Sequence, residues 1–238
     1  VKVVTLIPKG ADPHSFEMRP SHARAISQVD VMFYLGLPLE ESLLPKLESS
    51  KVRVAPLKFS KLKGHHHGED AGHGESFDPH AWNSLSNGRS MAVSMAETLK
   101  ALDPANGAVY DANLASLLKD MDRLDREIST LLSPFKGRAV LAYHPAWNYF
   151  CAERGIIPLA VESRGMEARP KELAKLREEV RRRGIRVMFV QPSASGPASK
   201  ATASMLKVKP VELDPLEADW FKMMRQTAKA FADSMRTR

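Results

Sequence analysis

Three histidines in this chain each stand beside a proline: Asp12-Pro13-His14, Asp78-Pro79-His80 and Tyr143-His144-Pro145. Neutral imidazole is the commonest nitrogen ligand for divalent transition metals, and a carboxylate oxygen completes many such sites. The neighbouring proline fixes one backbone angle, so less entropy is lost when the ring is held at an ion. With Asp214, which precedes Pro215, the three rings would give a tetrahedral site of nitrogen and oxygen donors. The candidate ligands lie 66, 64 and 70 positions apart, so no local motif of the HExxH or CxxC kind ties them together. The signal is the local chemistry they share. Taken singly, a His-Pro pair marks a turn, and Asp-Pro-His marks a helix cap followed by a surface histidine. Taken together they point to one metal ion held by His14, His80 and His144, with Asp214 or a water in the fourth position. Asp12 and Asp78 are candidates to accept an imidazole N–H from behind. His22 has no such context and reads as an exposed helix residue.

A second group of imidazoles lies in the tract 63–76, where His65, His66, His67 and His73 mingle with Glu69, Asp70 and Glu75. Almost nothing there is apolar, so the tract is expected to be mobile and unable to pack. Such a loop would bind zinc weakly and exchange it fast, collecting ions or sensing their abundance.

The elements that must position these residues follow from periodicity. Val1–Ile7, Asp30–Leu35, Val52–Leu57, Ala139–Tyr143, Ile157–Val161, Ile185–Val190 and Pro210–Leu213 read as strands. Helices are expected from Ser21, across Leu39–Leu47, from Asn87 or Ser90, over Pro170–Arg183 and over Ala218–Met235. The longest helix follows Asp103-Pro104, with Tyr110, Leu114, Leu117, Met121, Leu124, Ile128 and Leu131 at helical spacing. It reads as a strut. Strands alternate with helices on both sides of it, which predicts an α/β fold of two lobes, each a mainly parallel sheet flanked by helices. The division reads as a lobe over 1–103, a linking helix over 104–133 and a lobe over 134–238. In such sheets ligands bind beyond the carboxyl ends of strands, where His14, His144 and Asp214 fall.

Composition narrows the function classes. The net charge of +7 is spread along the chain, and its densest run, Arg181-Arg182-Arg183, closes a helix where cations suit the dipole. No aromatic residues interleave with it, so nucleic-acid binding is not expected. Cys151 is the single cysteine, so no disulfide can form within the chain. No apolar run approaches the roughly 20 residues of a membrane-spanning helix. No signal sequence is present, and the chain opens directly on an expected strand, as a processed or trimmed product would.

Several stretches together resemble a known family. They are Leu6-Ile7-Pro8-Lys9-Gly10-Ala11-Asp12-Pro13-His14, Asp78-Pro79-His80-Ala81-Trp82, Tyr143-His144-Pro145-Ala146-Trp147, Phe189-Val190-Gln191-Pro192 and Leu213-Asp214-Pro215-Leu216. In this order they resemble the metal-binding subunits of ABC importers, the ZnuA/TroA-like zinc or manganese solute-binding proteins. The resemblance implies His14, His80 and His144 as ligands with Asp214 in or near the fourth position. It also implies two α/β lobes joined by one long helix, with the metal between the lobes. A histidine at the third position, and a histidine-rich loop before the second, resemble the zinc-type members. Softer nitrogen donors favour zinc over manganese on general grounds as well. The chain departs from the family pattern in lacking the usual first βα unit, in carrying Gln191 where Glu is frequent, and in the shortness of its histidine loop.

The expectation is a non-enzymatic, monomeric zinc carrier, periplasmic or on the extracellular face, that delivers its ion to a membrane permease. A manganese- or iron-binding member of the same family is the near alternative. A zinc hydrolase is the distant one, with Glu17 or Glu162 as base toward a metal-bound water. A surface adhesin or a zinc buffer without a transporter is a third class.

Overall fold

The computed structural model describes residues 1–7, 16–47, 50–62, 77–163, 166–167 and 169–236. His14 and the 63–76 tract, including His65, His66, His67 and His73, lie outside the described residues. The chain forms two compact units, each assembled from two segments. One comprises Val1–Ser60 with Ser86–Asp120, the other Lys61–Leu85 with Met121–Arg238.

The first unit begins with α1 (Pro20–Ile26), β1 (Val31–Tyr34), α2 (Pro38–Glu41), α3 (Leu44–Leu47) and β2 (Arg53–Pro56). β1 and β2 pair in parallel, with Val31 opposite Arg53. Ile26, Met32, Leu43, Leu47 and Val52 form the core beneath them. α4 (Leu85–Leu102) follows, then α5 (Gly107–Leu132), whose 26 residues span about 39 Å and whose later turns belong to the second unit. The expected strand over Val1–Ile7 does not form: Val1 and Val3 are 89% and 82% exposed. β-branched residues favour a pleated, half-buried surface, and among the described residues no segment pairs with this one. α1 opens on Pro20 rather than after a Ser21 cap, and the His22 ring accepts the Arg19 N–H at 3.0 Å.

The second unit contains β3 (Ala139–Ala142), α6 (Asn148–Arg154), β4 (Ile157–Ala160), β5 (Glu162–Ser163) and β6 (Met166–Glu167). It continues with α7 (Pro170–Arg183), β7 (Val187–Val190), α8 (Pro197–Leu206), β8 (Lys209–Glu212) and α9 (Trp220–Arg236). Four strands pair in the order β4-β3-β7-β8, every pairing parallel. Alternate residues of one strand serve opposite faces. Val140, Ala142 and Phe189 pack with Leu124, Phe150 and Phe231 of α5, α6 and α9. Leu141, Tyr143, Met188 and Val190 pack with Val180, Ala203 and Leu206 of α7 and α8. Because both faces are covered, β3 is buried at every position and reads in sequence as a continuous apolar run. Gly184 ends α7 at φ 64°, in the left-handed region where a helix commonly stops.

α6, α8 and the β5–β6 hairpin carry no clear periodic signal. α6 is one short stretch, buried at Asn148, Tyr149, Phe150, Cys151 and Arg154, so it has no polar stripe to betray its period. α8 is built of small residues with buried Ser199 and Thr202 among them.

Candidate metal centre

All four strands of the larger sheet point the same way, so their carboxyl ends share one edge. β3 runs out into Tyr143-His144, β4 into Val161-Glu162, β7 into Gln191 and β8 into Leu213-Asp214. The connections from β3 lead to β4 on one side and, later, to β7 on the other. The gap beside β3 is therefore the place where strand order reverses, the usual ligand position of such sheets.

His144 is buried there, 6% exposed. Its Nδ1 bonds Glu162 Oε2 at 2.8 Å. His80 reaches the same spot from the segment that precedes α4. Asp78 Oδ1 accepts both the His80 backbone N–H at 2.9 Å and the His80 Nδ1 at 2.8 Å, so one oxygen fixes backbone and ring together. Asp78 Oδ2 accepts from Asn148 Nδ2 at 2.8 Å, and the Asp78 carbonyl accepts the Tyr149 hydroxyl at 2.9 Å. The segment is pinned further by Asn83 Nδ2 to Ala146 O and by Trp82 Nε1 to Pro215 O, each at 2.9 Å. Burial raises the Asp78 pKa, but the donors from His80 and Asn148 and the His80 charge outweigh it. The carboxyl is held below its ordinary value. Asp78 is therefore ionised near neutrality and can only accept.

The two rings meet. His144 Nε2 lies 3.0 Å from His80 Nε2, with ring centroids 4.9 Å apart and planes at 73°. Each ring has a carboxylate on Nδ1; the 3.0 Å contact holds one proton between the two Nε2 atoms, and its loss leaves both rings Nδ1–H with the Nε2 lone pairs facing. A cation is what such a pair of lone pairs can share.

Of the residues singled out from sequence, His80 and His144 come together in this way. Asp214 is half-buried at the end of β8, and its Oδ1 accepts the Leu216 N–H at 2.8 Å. Among the described residues, no group of three or more His, Cys, Asp or Glu side chains is arranged to hold a metal ion. His14 lies outside them. Glu162, weighed from sequence only as a hydrolytic base, is instead engaged on the His144 ring. Cys151 is buried and its thiol is pushed up by desolvation, so it offers no thiolate near neutrality.

A doubly wound α/β unit with paired, carboxylate-backed imidazoles at its strand ends has the build of a metal-binding protein rather than of a nucleotide- or sugar-binding one. The comparisons agree. The sequence model described as zinc-uptake complex component A, periplasmic (ZnuA), matches residues 1–234. A putative metal-binding protein of Chlamydia muridarum is 28% identical over 233 residues, covering 98% of this chain and 83% of that one. The high-affinity zinc uptake system protein ZnuA of Paracoccus denitrificans is 28% identical over 220 residues, covering 77% and 67%. The crystal structure of a ZnuA matches with a TM-score of 0.88 at 28% identity, covering 99% of this chain and 91% of that one. A ZnuA deletion mutant with zinc bound gives 0.88 at 28% identity, covering 98% and 89%. This chain belongs to the ZnuA family, the solute-binding components of ABC-type zinc uptake. The expected fold class holds: parallel sheets flanked by helices, and one long helix.

Proposed function

We propose that this chain binds zinc through His14, His80 and His144, with Asp214 or a water in the fourth position. It hands the ion to an ABC-type permease from the periplasmic or extracellular side, acting as a monomer and not as an enzyme. The observation that carries this reading is the Nε2 pair at 3.0 Å. A tetrahedral zinc with Zn–N bonds of about 2.0–2.1 Å holds its nitrogens about 3.3–3.4 Å apart. The pair needs to open by only a few tenths of an ångström. Nitrogen donors favour zinc over manganese or iron(II) in the general order of stabilities. The hydrolytic alternative would need a carboxylate within reach of a metal-bound water. Glu162 is committed to the His144 ring, which leaves that role without its best-placed candidate. The tract holding His65, His66, His67 and His73 fits a weak, fast-exchanging secondary site.

Titration calorimetry with zinc and with manganese tests this. The expected result is one tight zinc site in the wild type, at least 100-fold weaker in His80→Ala or His144→Ala, with manganese weaker throughout. Deleting residues 63–76 should remove only weak additional binding. Equal tight zinc binding by wild type and both alanine variants would overturn the assignment.

A further inference from the structure

β3 and β4 pair with a constant offset of 18 residues, from Ala139 opposite Ile157 to Ala142 opposite Ala160 (157 − 139 and 160 − 142). Two backbone bonds hold the segments together past the paired residues. The Val161 N–H donates to Ala142 O at 3.0 Å, and the Glu162 N–H donates to Tyr143 O at 2.8 Å. Just beyond that bond, Glu162 Oε2 meets His144 Nδ1 at 2.8 Å. The carboxylate is thus delivered to the ring by the backbone bonds that follow the β3–β4 pairing. Its side chain is 18% exposed, and the ring's side chain is 7% exposed.

We infer that Glu162 is a positioning residue for the metal site proposed above: by accepting the Nδ1–H it fixes the His144 tautomer and turns Nε2 toward His80. Which ring nitrogen carries the proton is set by the bond the other one makes. Without an acceptor at Nδ1, that proton is free to move to Nε2 and close the ligand lone pair. Asp78 serves His80 in the same manner, but Asp78 also ties Asn148, so its loss would disturb packing as well. Glu162 makes the cleaner test. Outer-shell acceptors of this kind are worth about 10–100-fold in metal affinity.

The inference rests on the zinc reading, so the test carries one readout that needs no metal. Long-range proton–nitrogen NMR of the metal-free protein reports the His144 tautomer, and zinc titration reports affinity. Glu162→Gln keeps an acceptor oxygen. It should keep the Nδ1–H tautomer and bind within about tenfold of wild type. Glu162→Leu should shift His144 toward the Nε2–H tautomer and weaken zinc binding by about 10–100-fold, at an unchanged melting temperature. An unchanged tautomer in Glu162→Leu overturns the inference, whether or not affinity falls. If the wild type itself binds no zinc tightly, the functional reading fails, while the tautomer comparison still decides the role of Glu162.

Discussion

At the scale of single residues, the site depends on carboxylates more than its histidines suggest. Asp78 is occupied on both oxygens, by His80 and by Asn148, inside a segment that must hold its shape for His80 to point correctly. Its folded-state pKa is lowered, so the stability it contributes is fully present above the ordinary value of 3.8 and is lost as the pH falls through the lower folded value. Urea unfolding of wild type and Asp78→Asn at a series of pH values should show a constant deficit in the variant near neutrality. That deficit should shrink once the pH drops below 3.8. A deficit that persists unchanged in acid would mean the carboxylate charge plays no part. His80 and Asp78 were legible in the sequence because both belong to one Asp-Pro-His triad. The role of Glu162 was not, because its partner stands 18 positions away and only the pairing of β3 with β4 brings them together.

At the scale of elements, most helices and strands are where periodicity puts them. α5, α7 and α9 each bury one stripe and expose the other, and that period survives in the sequence. The start of α4 was harder to read. Asn87 or Ser90 reads as its beginning, although Ser84, a capping type of residue, stands directly before Leu85. A distant acceptor joins this terminus: Glu153 of α6 accepts the Leu85 N–H at 3.0 Å through Oε2 and the Ser84 hydroxyl through Oε1. Glu153 also approaches Arg154, which binds Asp125 and Ser129 of α5 at 2.7 Å each. A cap supplied from 68 positions away leaves no local signature. Glu153→Ala should cost about 1 kcal/mol in urea unfolding, the usual value of a lost N-cap. No measurable change would show that α4 opens equally well on solvent. The Val1–Ile7 stretch is the reverse case: its composition is strand-like, yet it pairs with nothing among the described residues.

At the scale of the whole molecule, the α/β class and the long helix were readable because they rest on alternation and period. Contacts group Lys61–Leu85 with Met121–Arg238, so the His80 segment belongs to the same unit as the sheet that carries His144 and Asp214. A sequence offers no sign of that, since the hydrogen bonds from Asn148, Tyr149 and Asn83 that stitch the segment down join positions 63 to 71 apart. Zinc that binds only the folded chain must also stabilise it. At free zinc 100 times the dissociation constant the gain is about 2.7 kcal/mol, and for a chain of this size that raises the melting temperature by roughly 5–10 °C. The rise should vanish in His144→Ala. Because the ligand nitrogens must be deprotonated, it should also shrink in acid. The most direct measurement is anomalous diffraction at the zinc edge from crystals grown with the metal. The expected result is one strong peak about 2.0–2.1 Å from Nε2 of both His80 and His144. A zinc-loaded crystal whose peak lies away from these two nitrogens would contradict the assignment.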